Sequence, residues 1–390
     1  MATAQIVRVG ILGLGAAGRA FLPAFKGHAG FDLVAIADPV AEVRESAAQE
    51  LGVSVFPDLP SMLDGVKLDA VYIATPTDLH PEHAALAFAA GKHVLTEKPM
   101  AVNLEQARAM VEAAEKAGVI LSVGHSHSYD LPIQRMAELI GGGSMGRVRM
   151  INTWCYTDWI YRPRRPDELK SELGGGVTYR QGSHQFDIIR LLGGGLLKSV
   201  RATTFDWDPA RSAIGAHTAF LTFQDGTAAT AIYNGYGGFS TMEIGDDISE
   251  WGFKEPFETR KPAPKTPANL SPEEELERKR KRAKTAIPAN APFQPYFGVT
   301  LVSCEKGDIR QSPDGLYVYG EHGRKEIRLL NDRTPRDLVV AEFHEAISGG
   351  KKPVHDGRWG LANLETCAAV IESSRTRQEV FLVHQVASKR

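Results

Sequence analysis

The run IVRVGILGLGAAGRAFLPAF, residues 6–25, constrains the fold more than any other part of the chain. Branched apolar residues run into glycines, and helical spacing follows at once, so a strand must turn directly into a helix. Gly13, Gly15 and Gly18 form GxGxxG at that turn. The first allows the tight turn, the second lets a pyrophosphate approach the backbone, and the third packs helix on strand, while the helix N-terminus attracts phosphate charge. The next strand, FDLVAIAD, closes on Asp38, about twenty residues past Gly18, where a carboxylate meets ribose hydroxyls. Asp38 would repel a 2′-phosphate and Pro39 carries no charge to accept one, so NAD is expected in preference to NADP, with Arg44 the nearby cation.

The alternation continues. AEVRESAAQELG, HPEHAALAFAAG and LEQARAMVEAAEKAG read as helices, and KLDAVYIATP, HVLTEKP and VILSVGHSH as strands. A parallel sheet wrapped by helices is expected over residues 1–125, with ligands at the carboxyl ends of its strands. At 390 residues the chain exceeds one ordinary core, so a second domain over 126–390 is expected. Its β-rich runs are joined by DG, KG and HG turns and predict a mainly antiparallel sheet, with helices near 335–348 and 357–375. The expected fold class is α/β: a Rossmann dinucleotide-binding domain, then an α+β domain with a mainly antiparallel sheet. A charged, proline-rich insertion spans 255–295. Within it SPEEELERKRKRAK predicts a short helix, Ser271 as N-cap and Pro272 at N1, read as a solvated arm or a subunit contact.

A formal net charge of −2 gives no general attraction to nucleic acid or to an anionic membrane, so charge-driven recognition must be local. Cys155, Cys304 and Cys367 are widely spaced and odd in number, which argues against a disulfide framework or zinc site, and no metal is expected. The N-terminus lacks a signal peptide's charged head and cleavage site, and a cytoplasmic protein is expected. At a predicted strand end, TEKP (96–99) places Lys98 at the rim where a nicotinamide should lie, and burial or a neighbouring cation would fit lysine for proton abstraction.

ATPTDLHPEHA at 74–84, GKHVLTEKP at 91–99 and GGGVTYRQGSHQFD at 174–187, following GxGxxG, resemble the glucose-fructose oxidoreductase, inositol dehydrogenase and MocA family. The resemblance implies a nicotinamide-dependent oxidoreductase in which Lys98 is the catalytic lysine and His184 orients or deprotonates the substrate hydroxyl. Gly13, Gly15, Ala16, Ala17, Gly18, Asp38, Thr75, Pro76, His80, Glu97 and Lys98 would hold the cofactor, and the open sheet would join subunits into a dimer or tetramer. His83 reads as packing or surface.

The chain departs from the family pattern where an aspartate usually stands four residues before the histidine: here it is Arg180. A guanidinium cannot act as base but binds carboxylates in bidentate fashion. Upstream, DWIYRPRRPDEL carries Arg162, Arg164 and Arg165, which either bind an anionic substrate together with Arg180 or pair with Asp158, Asp167 and Glu168. Trp159, Tyr161 and Tyr179 offer flat walls for a ring. These features resemble the dehydrogenases of phthalate 4,5-cis-dihydrodiol, which implies oxidation of a carboxylated cyclic diol to 4,5-dihydroxyphthalate. A sugar or cyclitol dehydrogenase and an NAD-retaining glycosidase are the alternatives. His125 and His127 would line the substrate pocket, with no clear carboxylate partner in the sequence.

Overall fold

The structure, a computed structural model, describes residues 6–259, 270–283 and 291–389. It divides into two compact units, Met1–His125 with Arg336–Leu364, and Ser126–Pro335 with Glu365–Arg390. The expected 126–390 domain is therefore discontinuous. Residues 336–364 join the first unit because they carry apolar surface for it: Phe343 stacks on Phe31 at 6.0 Å and His344 meets the same ring edge-on.

The first unit alternates as its sequence dictates. Its elements are β1 (Val7–Leu12), α1 (Ala16–Gly27), β2 (Phe31–Ala37), α2 (Ala41–Leu51), β3 (Ser54–Phe56), α3 (Leu59–Gly65), β4 (Ala70–Ile73), α4 (His80–Ala89), β5 (His93–Thr96), α5 (Leu104–Ala117) and β6 (Leu121–Val123). Six parallel strands run in the order β3-β2-β1-β4-β5-β6. The order reverses between β1 and β4, and a crevice opens at the carboxyl ends of those two strands. Val7, Val9 and Ile11 are fully buried, as a strand covered by helices on both faces requires.

The second unit opens with α6 (Leu131–Gly141) and β7 (Val148–Tyr156), then α7 (Gly176–Arg180), α8 (Gly182–Leu192), β8 (Leu197–Phe205), β9 (Ala216–Phe223) and β10 (Ala228–Asn234). There follow α9 (Pro272–Ala283), β11 (Val299–Cys304), β12 (Gly307–Ser312), β13 (Gly315–Gly320), β14 (Gly323–Arg328) and, after α10 (Pro335–Ser348) and the start of α11 (Gly357–Thr376), which belong to the first unit, the end of α11 and β15 (Val380–Phe381). Nine strands run in the order β14-β13-β12-β11-β7-β10-β9-β8-β15, antiparallel except for the parallel β7–β10 pair. The side chain of Gln185 donates to the carbonyls of Thr153 (3.3 Å) and Ile232 (3.1 Å), pinning α8 across β7 and β10. On alternate positions of β7 and β9, Met150, Trp154 and Phe220 are exposed.

Helix α9 starts as predicted, with Ser271 and Glu274 exchanging backbone-to-side-chain hydrogen bonds in a capping box. The solvated-arm reading is corrected. Glu275 pairs with Arg211 at 2.7 Å and accepts from the Arg164 backbone N–H at 2.8 Å, and Lys279 pairs with buried Glu168. The charges that suggested solvent exposure are the groups that dock the helix. Residues 260–269 and 284–290 of the insertion lie outside the described residues. Among the described residues no helix is long and apolar enough to cross a membrane, no metal-ligand cluster occurs, and the three cysteines are free thiols.

Candidate active site

The first unit presents a dinucleotide cradle. Gly13 takes φ +90°, and a Cβ on Gly18 would lie 2.1 Å from the Gly13 carbonyl oxygen, so turn and helix admit no side chain at either position. A Cβ on Gly15 would meet nothing within 4 Å, leaving open the space above the uncapped N-terminus of α1. Ala16 and Ala17 begin that helix, whose first turn holds no acid to repel phosphate. The buried Asp38 carboxylate accepts from Leu14 N–H (2.9 Å) and Val40 N–H (3.0 Å), tying the glycine turn to the end of β2. Arg44 donates to the Asp38 carbonyl at 2.7 Å. Open space over Gly15, free helix N–H groups and a fixed acid fit an NAD pyrophosphate and ribose.

Two loops of the same unit carry the remaining expected cofactor residues. Glu97 accepts from the Tyr72 hydroxyl (2.7 Å) and from the Lys98 backbone N–H (3.2 Å). Burial, then the Glu97 charge, pushes the Tyr72 phenol well up, so it remains a donor. The Lys98–Pro99 bond is cis and Lys98 is half-buried. His80 ties the two loops together, with Nδ1 3.0 Å from the Pro99 carbonyl and Nε2 3.0 Å from the Thr75 carbonyl, and Pro76 follows between them. Both carbonyls only accept, so both contacts are satisfied when the ring carries two protons. His83 is not idle surface: its Nδ1 lies 3.0 Å from the Thr75 hydroxyl.

The second unit holds His184 on the first turn of α8, with its side chain buried. Its ring meets that of His127 edge to face at 4.6 Å, and His127 stacks on Phe297 at 4.4 Å. His127 has a carboxylate partner that sequence reading missed: Asp130 Oδ2 lies 3.3 Å from its Nδ1. His125 falls in the first unit, where its Nε2 lies 3.4 Å from the Asn363 amide.

Phe297 also walls a cavity of about 440 Å³, together with Trp251, Tyr296, Tyr161, Arg162 and Arg282. Of the three aromatic residues expected as walls, Tyr161 lines it, while Trp159 is fully buried beneath Arg164, whose guanidinium carbon stacks 3.9 Å from the ring centroid. Tyr179 lies outside the lining.

The arginines form one charge network. Arg162 bonds Asp158 (2.7 Å) and Glu250 (3.2 Å), Arg165 clasps Asp167 through two nitrogens, and Arg180 reaches Glu168 at 3.2 Å. Burial alone would raise the Glu168 carboxyl, but Lys279, Arg180, Arg164 and Arg165 hold it well below the carboxylate range. Burial lowers Arg164 to about 9 and Lys279 to about 8, so both are charged at neutral pH. Arg162, Arg164, Arg165, Arg180, Arg211, Lys279 and Arg282 thus face Asp158, Asp167, Glu168, Glu250 and Glu275. Among the described residues the network carries more cations than carboxylates, even when exposed Glu255 on the cavity rim is added.

A family model described as an oxidoreductase family with an NAD-binding Rossmann fold matches residues 7–125, and the Gfo/Idh/MocA C-terminal domain matches 133–239. The chain is 38% identical over 380 residues to a 1-carboxy-3-chloro-3,4-dihydroxycyclohexa-1,5-diene dehydrogenase of Comamonas testosteroni, covering 95% of each protein. A solved structure from Bordetella bronchiseptica RB50 superposes with a TM-score of 0.89 at 39% identity, over 97% of this chain and 100% of that one. The WlbA dehydrogenase of Bordetella pertussis, solved with NADH and UDP-GlcNAcA, shares the fold at a TM-score of 0.72 and 23% identity, over 98% and 99% of the two chains. With its Rossmann cradle and second-unit sheet matched over nearly the whole length, the chain is an NAD(P)-dependent dehydrogenase of the Gfo/Idh/MocA oxidoreductase family.

Proposed function

We propose that the protein oxidises a secondary alcohol of a cyclic diene diol bearing at least one carboxylate, with phthalate 4,5-cis-dihydrodiol as the reference substrate. The observation that carries this reading is the cation excess of the network whose members Arg162 and Arg282 line an aromatic-walled cavity. A neutral sugar or cyclitol gives such a network nothing to neutralise, whereas a ring carboxylate does. The carboxylated diol in the name of the Comamonas testosteroni relative supports the same class.

Bound NAD supplies the hydride acceptor; Asp38 favours it over NADP, whose 2′-phosphate this carboxylate would repel. Lys98 takes the hydroxyl proton and His184 orients the hydroxyl. Loss of hydride and proton leaves a ketone that tautomerises to a catechol, and the aromaticity gained favours the forward direction. Arg164, Arg165 and Arg180 act through the field of the network, since each stands against a carboxylate of the chain itself. His127 acts behind Phe297, not as a direct cavity wall. The exposed Met150, Trp154 and Phe220 make the open sheet face the proposed contact between copies of the chain.

The test is NADH formation by the purified protein with phthalate 4,5-cis-dihydrodiol, an uncarboxylated cis-dihydrodiol, myo-inositol and glucose. Reduction confined to the carboxylated diol supports the reading. Reduction with inositol or glucose alone, or turnover of a glycoside without net NADH, overturns it.

A further inference from the structure

Arg180 stands four residues before His184 and, as a guanidinium paired with Glu168, supplies no negative charge to that histidine. A carboxylate reaches the histidine pair from another direction. Asp130 directly precedes α6, where an aspartate ordinarily caps the helix, yet its side chain makes no capping bond. It is 1% exposed and lies 3.3 Å from Nδ1 of His127, brought there by the single turn His127–Tyr129. His127, itself buried, packs edge to face on His184 and flat on Phe297 of the cavity wall.

We propose that Asp130 and His127 form a positioning couple for His184, with Asp130 holding the His127 proton on Nδ1 and so fixing the ring against which His184 packs. The couple keeps His184 oriented toward the reacting hydroxyl while its proton passes to Lys98. A buried carboxylate–imidazole contact of this kind orients the ring as well as stabilising its charged form. Charged or titratable groups that face His127 are Asp130 from its own segment, His184 from α8 and Glu250 from the segment between β10 and α9.

The inference rests on the dehydrogenase reading, and its first test needs neither substrate nor NAD. Nitrogen-15 NMR of the histidine rings, with the His127 signal identified by its loss in His127→Gln, should show the proton on Nδ1 in the wild type. A proton on Nε2 would overturn the proposal even if the enzyme oxidises the expected diol. In turnover, Asp130→Asn should lower kcat roughly 10- to 100-fold with the KM for NAD unchanged. Asp130→Glu should restore part of that loss. An unchanged kcat in Asp130→Asn, or a rise in the KM for NAD of the same size as the fall in kcat, would reduce Asp130 to a structural role and overturn the proposal.

Discussion

Glu168→Gln is the most informative single perturbation of the second unit. The Glu168 side chain is 7% exposed and is surrounded by Lys279, Arg180 at 3.2 Å and Arg164 at 4.0 Å, while it also accepts from the Arg165 backbone N–H at 2.8 Å. The amide keeps the shape and one acceptor but removes the charge, leaving three half-buried cations without their common counter-ion. Breaking a buried pair from one side costs about 3–5 kcal/mol, because the remaining charge keeps its desolvation cost and loses its counter-ion. At about 2–4 °C per kcal/mol for a unit of this size, melting of the second unit should fall by roughly 10 °C. Calorimetry that resolves the two units is the assay, since one transition cannot be assumed for a chain of two. The Glu168 carboxyl is held below its ordinary range, so its contribution is present above that range and is lost as pH falls through the depressed value. The deficit of the variant should therefore be constant from about pH 6 until Lys279 begins to discharge near its lowered value of about 8. Adding Lys279→Met removes one orphaned cation, and the double variant should be more stable than the sum of the single losses by about 1 kcal/mol or more. A Glu168→Gln protein melting within about 2 °C of the wild type would show that these charges are hydrated and that α9 is not held by them.

Four further outcomes follow from named groups. Lys98→Met should lower turnover by about 10²–10⁴-fold while NAD binding, followed by fluorescence titration, stays within about threefold; surviving turnover would remove Lys98 as the base. Asp38→Ser should weaken NAD and narrow its advantage over NADP, read as the ratio of the two dissociation constants, by about tenfold or more. Arg282→Gln and Arg180→Gln should each raise the KM for a carboxylated diol about tenfold, with the uncarboxylated analogue shifted less than about twofold. His217 is buried between Thr178 and Gln185, and burial lowers it to about 3. Its neutral form is favoured on folding, so stability is full above the unfolded value near 6.5 and declines as pH falls towards 3, by about 2 kcal/mol at pH 5. Denaturant titrations of the wild type and His217→Gln between pH 7 and 5 should separate by about that amount.

The architecture was legible where periodicity and punctuation agree. Glycines between β1 and α1, Asp38 at the end of β2, and the Asp225-Gly226, Lys306-Gly307, Asp314-Gly315 and His322-Gly323 turns announced both sheets. Elements of marginal length escaped: β3 has three residues and α3 seven, too few for either period to register. The return of residues 336–364 to the first unit escaped as well, because burial of Phe343 on Phe31 is a long-range fact that no local pattern encodes. In the site, the sequence itself offers Asp158, Asp167 and Glu168 as partners for the arginine loop. Asp130 was not paired with His127, since a separation of three residues brings side chains together only if the chain turns between them, and His127 follows a strand. The docking of α9 was hidden for a related reason: Lys279 and Glu275 look solvated until their buried counter-ions are located.

The central claim is that a carboxylate on the substrate ring is recognised by its charge. The direct measurement compares kcat/KM, with saturating NAD, for phthalate 4,5-cis-dihydrodiol and for its carboxyl methyl esters, which keep the ring and the diol but remove the charge. The esters should be poorer substrates by about tenfold or more, and added salt should narrow the gap. Equal values for acid and ester, unmoved by salt, would contradict it.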